Sequence, residues 1–405
     1  MLKVVSTKQV RLGMFIQELK GTWIDHPFWK KAFKLEDPSD LNKLQASVIK
    51  EVVIDTSKGL DVEELGEVVA SATPLIVENS GQAVVAPTTP LKSVQISASQ
   101  EQAQAKKVIN ASKRAVASMF HDVRMGKAVS AEAAMQMVDE ITASVDRNLG
   151  ALISLVRLKN KDEYTYMHSV AVCALMVALA KELGLSQVDT KKAGLAGLLH
   201  DLGKAAIPLE VLNKPGALTD TEFALVKLHP ERGYELLLKA NITDEVTLDV
   251  CLHHHEKVNG TGYPKKLKAE EISIFAKMGA VCDVYDAVTS NRPYKDGWEP
   301  GVSLQRMAQW NGHFDEDVFK AFVKSVGIYP IGSMVKLKSG RLAVVIDQSP
   351  KSLLTPIIKV FFSTKSKSRI TVELIDLSKP YEQDSIVGHE DPALWGVSNT
   401  HELWS

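Results

Sequence analysis

The sequence predicts a multidomain α+β protein. A long all-helical domain is flanked by a small N-terminal domain of mixed α and β character and by a small β-rich C-terminal appendage. Three observations carry this. Residues 150–326 read as nearly continuous helix, punctuated by caps and stop signals. Short apolar runs of strand length lie before residue 60 and after Tyr329. A charge-poor, turn-rich stretch at 79–98, containing APTTP at 86–90, separates the first segment from the rest. The boundaries that follow are an N-terminal domain at 1–78, a linker at 79–98, a helical connector at 99–149, the helical domain at 150–326 and the β-rich segment at 327–405.

In the first segment, KVVS from Lys3, MFIQEL from Met14 and VVID from Val52 read as strands, the last ending at a turn over 57–59. Trp23, Phe28, Trp29 and Phe33 form either a binding face or the core of a small domain. The core reading is favoured, because large rings supply much of the burial a small domain needs. A helix pattern runs from about Gln100 to Phe120, and another begins near Ser130. The apolar positions of the second, Ala134, Val138, Ile141 and Val145, have helical spacing. Further on, Ser186-x-x-Asp189 and Thr219-x-x-Glu222 are N-cap patterns, the second a full capping box, and Gly184 ends the helix before Ser186. The loop at 256–271, EKVNGTGYPKKLKAEE, breaks the helical run with its glycines and proline. After Pro330, MVKL, LAVVI, IIKVFF and TVELI predict four strands, with Gly340 at a tight connection between the first two.

Composition sets limits on function. With 405 residues, 45% of them hydrophobic, the chain can build two or three cores. Its 48 basic and 49 acidic side chains leave a net charge of −1, which argues against a general DNA or RNA binder. A local basic patch for a small anion remains compatible. Cys173, Cys251 and Cys282 lie in apolar helical patterns without a CxxC pair, as core residues of a reducing compartment do. The N-terminus has neither a long apolar core nor a cleavage pattern, and the longest apolar run, 171–180, is too short for a bilayer. A cytoplasmic protein with no membrane partner is expected. No fixed-period repeat is present.

The chemistry concentrates in one region. Of 11 histidines, six lie between His168 and His255. His168 begins an apolar helix pattern. His200 and Asp201 close the run KKAGLAGLLHD. His229 precedes Pro230, His254 and His255 belong to CLHHHE, and Asp283 lies within GAVCDVYDAV. Burying Asp201 and Asp283 without partners costs several kcal/mol, on the order of 2–7 even for uncharged polar groups. A metal supplies the partner, and imidazole with carboxylate suits zinc, iron or manganese. The candidate ligands are too numerous for one ion and enough for two. A two-metal centre activates water and clamps phosphoryl oxygens, although such ligands also serve oxygenase chemistry. Lys204, four residues after His200, projects to the same side if the helix continues, and suits a phosphate oxygen. The alternative is a solvated lysine after a helix end. NGTGYP at 259–264 is a structural turn or a set of backbone donors beside the histidines. Arg292 and Lys295, nine and twelve residues past Asp283, either hold an outer phosphate or form a solvated helix end.

Taken together, YTYMHS, LLHDLGKAAIPLEVLNKPGALTDTEF, KLHPERGYELL, HHEKVNGTGYP and DVYDAVTSNRPYK resemble the HD-GYP domain of the HD phosphohydrolase superfamily, over about 150–326. The resemblance implies an all-helical HD-type catalytic domain and a phosphodiesterase that hydrolyses cyclic di-GMP to the linear dinucleotide pGpG, in many members onward to GMP. It implies the metal ligands His168, His200, Asp201, His229, His254, His255 and Asp283, with Asp201 bridging. Lys204 would contact the scissile phosphate, and Arg292 and Lys295 the dinucleotide. Gly262, Tyr263 and Pro264 form the signature tripeptide. The cofactors implied are two divalent ions, iron or manganese. Some members hold a third through a glutamate four residues before the first histidine; Tyr164 stands there in this chain, so two are expected.

The residues before about 145 resemble DUF3391, through RLGMFI, Trp23, HPFW at 26–29 and VVIDTSKG at 52–59. That domain is expected to regulate or localise the enzyme, with proteins such as GGDEF proteins as partners. Two alternatives to cyclic di-GMP hydrolysis stand beside this reading: a preference for cyclic GMP-AMP, and a non-catalytic domain that binds cyclic di-GMP.

Overall fold

A computed structural model of the chain describes residues 2–20, 33–36, 38, 41, 44–45, 50–61, 97–157, 164–214, 216–290, 297–349, 352–379, 384–397 and 400–404. The chain divides into two compact units, Met1–Lys92 and Ser93–Ser405. The first holds strands β1 (Leu2–Ser6), β2 (Phe15–Lys20), β3 (Phe33–Lys34) and β4 (Glu51–Asp55). They form an antiparallel sheet in the order β1-β4-β2-β3. Met14, Ile16, Leu44, Val52 and Ile54 are buried together in its core. The three strands read from sequence are all present. Trp23, Phe28 and Trp29 lie outside the described residues, as do 79–96 of the linker.

The second unit opens with two long helices, α1 (Ala98–Arg124) and α2 (Ala131–Arg157). Ser97 and Gln100 close a capping box at the start of α1. Asn148 breaks α2 with extended backbone (φ −167°, ψ 104°), and its side chain accepts a hydrogen bond from Ala151 N at 2.9 Å, which caps the second half. The buried Glu101 carboxylate holds α1 to α2 by accepting from Ser144 Oγ at 2.8 Å and from Arg147 Nε and Nη2 at 2.6 and 2.8 Å. The connector is not a free arm. Val116 and Phe120 of α1 and Val138 and Ile141 of α2 lie in one core with Val170, Cys173, Leu195, Leu198 and Cys251.

The helices that follow are α3 (Tyr164–Glu182), α4 (Gln187–Leu199), α5 (Leu209–Leu212), α6 (Asp220–Val226), α7 (His229–Lys239), α8 (Glu245–His253), α9 (Ile274–Thr289), α10 (Pro300–Met307) and α11 (Glu316–Val326). α3 is apolar on every side and buried from Met167 to Ala180, as a helix hydrophobic all round must be. It is the axis against which α1, α2, α4, α9 and α11 pack. The caps fall where the sequence puts them. Ser186 accepts from Asp189 N, Thr219 and Glu222 form a reciprocal box, and Gly184 adopts φ +71° at the end of α3.

The C-terminal segment is a five-stranded antiparallel sheet of order β8-β7-β6-β5-β9, made of β5 (Met334–Leu337), β6 (Arg341–Asp347), β7 (Ile357–Ser363), β8 (Ser368–Asp376) and β9 (Ile386–His389). Four of these match the sequence expectation. The fifth, β9, is a correction to the count of four. Its four residues include Gly388, so it has no alternating apolar pattern to announce it. The central strands read as continuous apolar runs because both faces are covered. Val335, Ala343 and Val345 pack on one side, and Met334, Leu342 and Val344 on the other, beneath Trp395 and Trp404.

Candidate metal centre

Five stretches of chain deliver ionisable side chains to one buried place. His168 comes from one turn inside α3. His200 and Asp201 follow the end of α4, where His200 is the C-cap. His229 opens α7, and His254 caps α8 with His255 beyond it. Asp283 lies mid-way along α9. All but His255 are buried. The helix does not continue to Lys204 as the spacing argument supposed. Residues Leu202–Ala206 form a 3-10 turn, which carries the Lys204 ammonium to 2.5 Å from Asp201 Oδ2. A Cβ on Gly203 would stand 1.8 Å from His229 O, so only glycine lets this turn lie against α7.

Asp201 stands at the centre. Its Oδ2 lies 3.4 Å from both His168 Nε2 and His200 Nε2, and His168 Nε2 is 2.9 Å from Asp283 Oδ1. Its Oδ1 faces the other way, 3.2 Å from His229 Nε2 and 3.9 Å from His254 Nε2. Two ligand groups result, His168 with His200 and Asp283, and His229 with His254 and His255, and a third triad of His200, Asp201 and His254 joins them. Within each, the ligating atoms lie within 4.8 Å of one another.

The hydrogen-bond pattern tests whether a cation fits. His200 Nδ1 donates to Gly197 O, His229 Nδ1 to Val226 O and His254 Nδ1 to Val250 O, at 2.8, 2.8 and 2.9 Å. A carbonyl oxygen only accepts, so each Nδ1 carries a proton and each ring, when neutral, turns the lone pair of Nε2 inward. His229 Nε2 and His254 Nε2 then meet lone pair to lone pair at 3.2 Å. His200 Nε2 and Asp201 Oδ1 are buried and make no hydrogen bond. Converging lone pairs and carboxylates in a dry site repel one another unless a cation lies among them. The donor set is therefore one that fits divalent ions with nitrogen and oxygen ligands.

The electrostatics agree. Burial opposes a charge on His200, but Asp201 and Asp283 outweigh it and push its pKa up to about 10. Burial drives His254 well below the ordinary imidazole value and His255 down to about 3. For Asp201, burial favours the neutral acid, yet Lys204 and then His200 hold the carboxyl well below its usual range. Asp283 is held down likewise, against burial, by the hydrogen bond from His168 and the nearby His200 and His255 rings. Ionised carboxylates and neutral imidazoles are the forms that bind metal.

Two residues that sequence reasoning left without a role complete the surroundings. Asp286 Oδ2 lies 2.6 Å from His168 Nδ1 and fixes that ring with Nε2 toward Asp283. Its spacing of three from Asp283, in a helix otherwise apolar, was the available signal. Glu256 is buried, and its carboxylate accepts from the backbone N–H groups of Lys265, Lys266 and Leu267 at 2.6, 2.9 and 3.0 Å. It ties the loop that carries Gly262 and Tyr263. A Cβ on Gly262 would stand 2.4 Å from Glu256 Cα, so that contact too requires glycine. The Tyr263 ring stacks on His255 at 4.7 Å. His253 turns away and pairs with Asp249 at 2.7 Å. The sequence placed Arg292 and Lys295 beside the substrate; both lie outside the described residues.

Known proteins resemble this chain in both of its parts. Residues 151–318 match the family described as HD domain, and residues 2–134 match a domain of unknown function, DUF3391. Over 406 residues the chain is 52% identical to cyclic di-GMP phosphodiesterase PA4108 of Pseudomonas aeruginosa, an alignment that covers 100% of this chain and 96% of that one. The chain belongs to the HD-GYP family. His200–Asp201 and Gly262–Tyr263–Pro264 are its signatures here. Other relatives match less than half of this HD-GYP protein. The cyclic di-GMP phosphodiesterase response regulator RpfG of Xanthomonas campestris is 35% identical over 46% of this chain and 50% of that one. The 3'3'-cGAMP-specific phosphodiesterase 1 of Vibrio cholerae is 33% identical over 41% of this chain and 38% of that one.

Asp286→Ala removes the acceptor that orients His168 while leaving every candidate ligand in place. Metal affinity, measured by competition with a chelator, is expected to fall about ten- to hundredfold. An unchanged affinity would show that α3 packing alone orients the ring.

Proposed function

We propose that this HD-GYP protein is a phosphodiesterase that hydrolyses cyclic di-GMP to pGpG, with two divalent ions, iron or manganese, as its cofactors. The observation that carries the reading is Asp201, whose two oxygens face two separate ligand groups. A bridging carboxylate has this disposition. The full-length relative PA4108, a cyclic di-GMP phosphodiesterase by name, supports the substrate. We assign His168, His200 and Asp283 to one ion, His229, His254 and His255 to the other, and Asp201 to both.

Ions held there supply an activated water and offset charge on the phosphoryl oxygens. The chain's own residues do the rest. Lys204 is positioned to meet a non-bridging oxygen of the scissile phosphate, since its ammonium already reaches the bridging carboxylate. Asp286 fixes the His168 tautomer. Glu256 holds the loop so that Tyr263 walls the site beside His255, and Gly262 with Tyr263 borders the substrate. Burial and then Asp283 push the Tyr263 phenol above its ordinary value, so the wall stays uncharged. Arg292 and Lys295 are assigned to the dinucleotide by the motif they share with the family.

Cyclic GMP-AMP is the second reading, favoured by the Vibrio cholerae relative. The N-terminal domain is assigned regulation or localisation, because every candidate ligand lies at or after His168, and GGDEF proteins are the partners this favours. No helix among the described residues is long and apolar enough to cross a membrane, and the three cysteines are buried free thiols. Both facts suit the cytoplasm.

Protein loaded anaerobically with Fe(II) or Mn(II) is expected to convert cyclic di-GMP to pGpG, with slower turnover of cyclic GMP-AMP, as read by chromatography of the products. Binding without turnover under either metal would contradict the enzyme reading. In the same assay, residues 93–405 are expected to keep measurable turnover per metal-loaded site. Complete loss in a folded, metal-loaded truncation would give the N-terminal domain a direct part in catalysis.

A further inference from the structure

Several basic side chains around this site are neutralised, although Lys257 of the GYP loop is not. Lys204 lies against Asp201 at 2.5 Å, Lys214 against Glu222 at 2.6 Å, Arg232 against Glu235 at 3.2 Å and Lys265 against Glu231 at 3.0 Å. Lys227 differs. It is half-buried, yet among the described residues no carboxylate lies within ion-pair reach of it. Its ammonium instead sits over two aromatic faces, 4.6 Å from the Phe223 ring centroid and 5.6 Å from that of Tyr263. Ring faces hold a cation without cancelling its charge.

Its position is set by the ligand scaffold. Lys227 caps α6, donating its backbone N–H to Phe223 O at 3.0 Å, and it stands two residues before His229. The carbonyl beside it, Val226 O, takes the proton of His229 Nδ1. On its other flank the Tyr263 ring stacks on His255, whose Nδ1 is 3.6 Å from Asp283. The ammonium is therefore one ring removed from the ligand cluster, on the wall formed by the GYP loop. The cluster itself accounts for only one phosphate, and a cation there can share the other with Arg292 and Lys295.

We infer that Lys227 binds the second, non-scissile phosphate of a cyclic dinucleotide while the first lies at the metal cluster. This rests on the phosphodiesterase reading and extends it. Phe223, 46% exposed, and Tyr263 are the platform that fixes the ammonium in place. A lysine suits the task as a compact point charge that meets a phosphate oxygen from many directions.

The test uses the full chain loaded with Mn(II), as wild type, Lys227→Met and Lys227→Arg. Two substrates are compared: cyclic di-GMP, with two phosphates, and bis(p-nitrophenyl) phosphate, with one. For Lys227→Met, KM for cyclic di-GMP is expected to rise about tenfold, the worth of one charge-assisted hydrogen bond, with kcat within about twofold. Metal content per chain should not change. The catalytic efficiency toward bis(p-nitrophenyl) phosphate should fall far less, and Lys227→Arg should recover most of the lost affinity. An unchanged KM, equal losses on both diesters, or loss of metal would each overturn the assignment. If the wild type fails to turn over cyclic di-GMP, the parent reading fails first, and calorimetric binding of cyclic di-GMP then decides for Lys227. About tenfold weaker binding in Lys227→Met supports it, and equal binding refutes it.

Discussion

The rest of the structure is arranged around a repulsion. Two carboxylates and five imidazoles meet in a space from which water is nearly excluded, and three of the rings are locked by backbone carbonyls with Nε2 inward. Without cations this arrangement opposes folding, because lone pairs and negative oxygens at about 3 Å in a low-dielectric interior raise the energy steeply. In the chain alone, Lys204 and a protonated His200 partly fill the need, which is why the carboxylates stay ionised. A site that depends on borrowed positive charge is poised to exchange it for metal.

Holding such a cluster requires rigid surroundings. α3, apolar on all faces, fixes His168 against α4 and α9. α1 and α2 close the same core, so the connector belongs to the frame of the site as well as to the path between domains. Two glycines permit close backbone approaches beside the site, Gly203 against α7 and Gly262 against Glu256. At these points the backbone itself brings the 3-10 turn and the GYP loop to the ligands. Binding energy of the ions would then return as stability of the catalytic unit.

Much of this was legible in the sequence, for a physical reason. Asp201 and Asp283 stand in runs that otherwise read as core, and a charge in a core run demands a partner. The caps at Ser186 and Thr219 and the strands β5 to β8 were legible because their signals are local. What escaped depends on facing. Asp283 and Asp286 are both buried aspartates on α9, and only packing shows that one meets the cluster directly while the other holds His168 from behind. Among the three consecutive histidines, the end of α8 at His253 turns that ring to Asp249 and leaves the next two for the cluster. Glu256 acts on backbone N–H groups that no side-chain pattern reveals. Lys227 stands out only once its ammonium is seen to lie over the rings of Phe223 and Tyr263. The 3-10 turn at Lys204 and the short strand β9 carry no periodic signal.

The central claim is that the buried cluster is built for two cations joined by Asp201. Elemental analysis of anaerobically prepared, active protein measures it most directly, with Asp201→Ala and His254→Ala prepared alongside. The account predicts two ions per chain in the wild type, loss of both when Asp201 is replaced, and retention of one when His254 is replaced. A reproducible ratio near three, or a single ion that survives in Asp201→Ala, would contradict it.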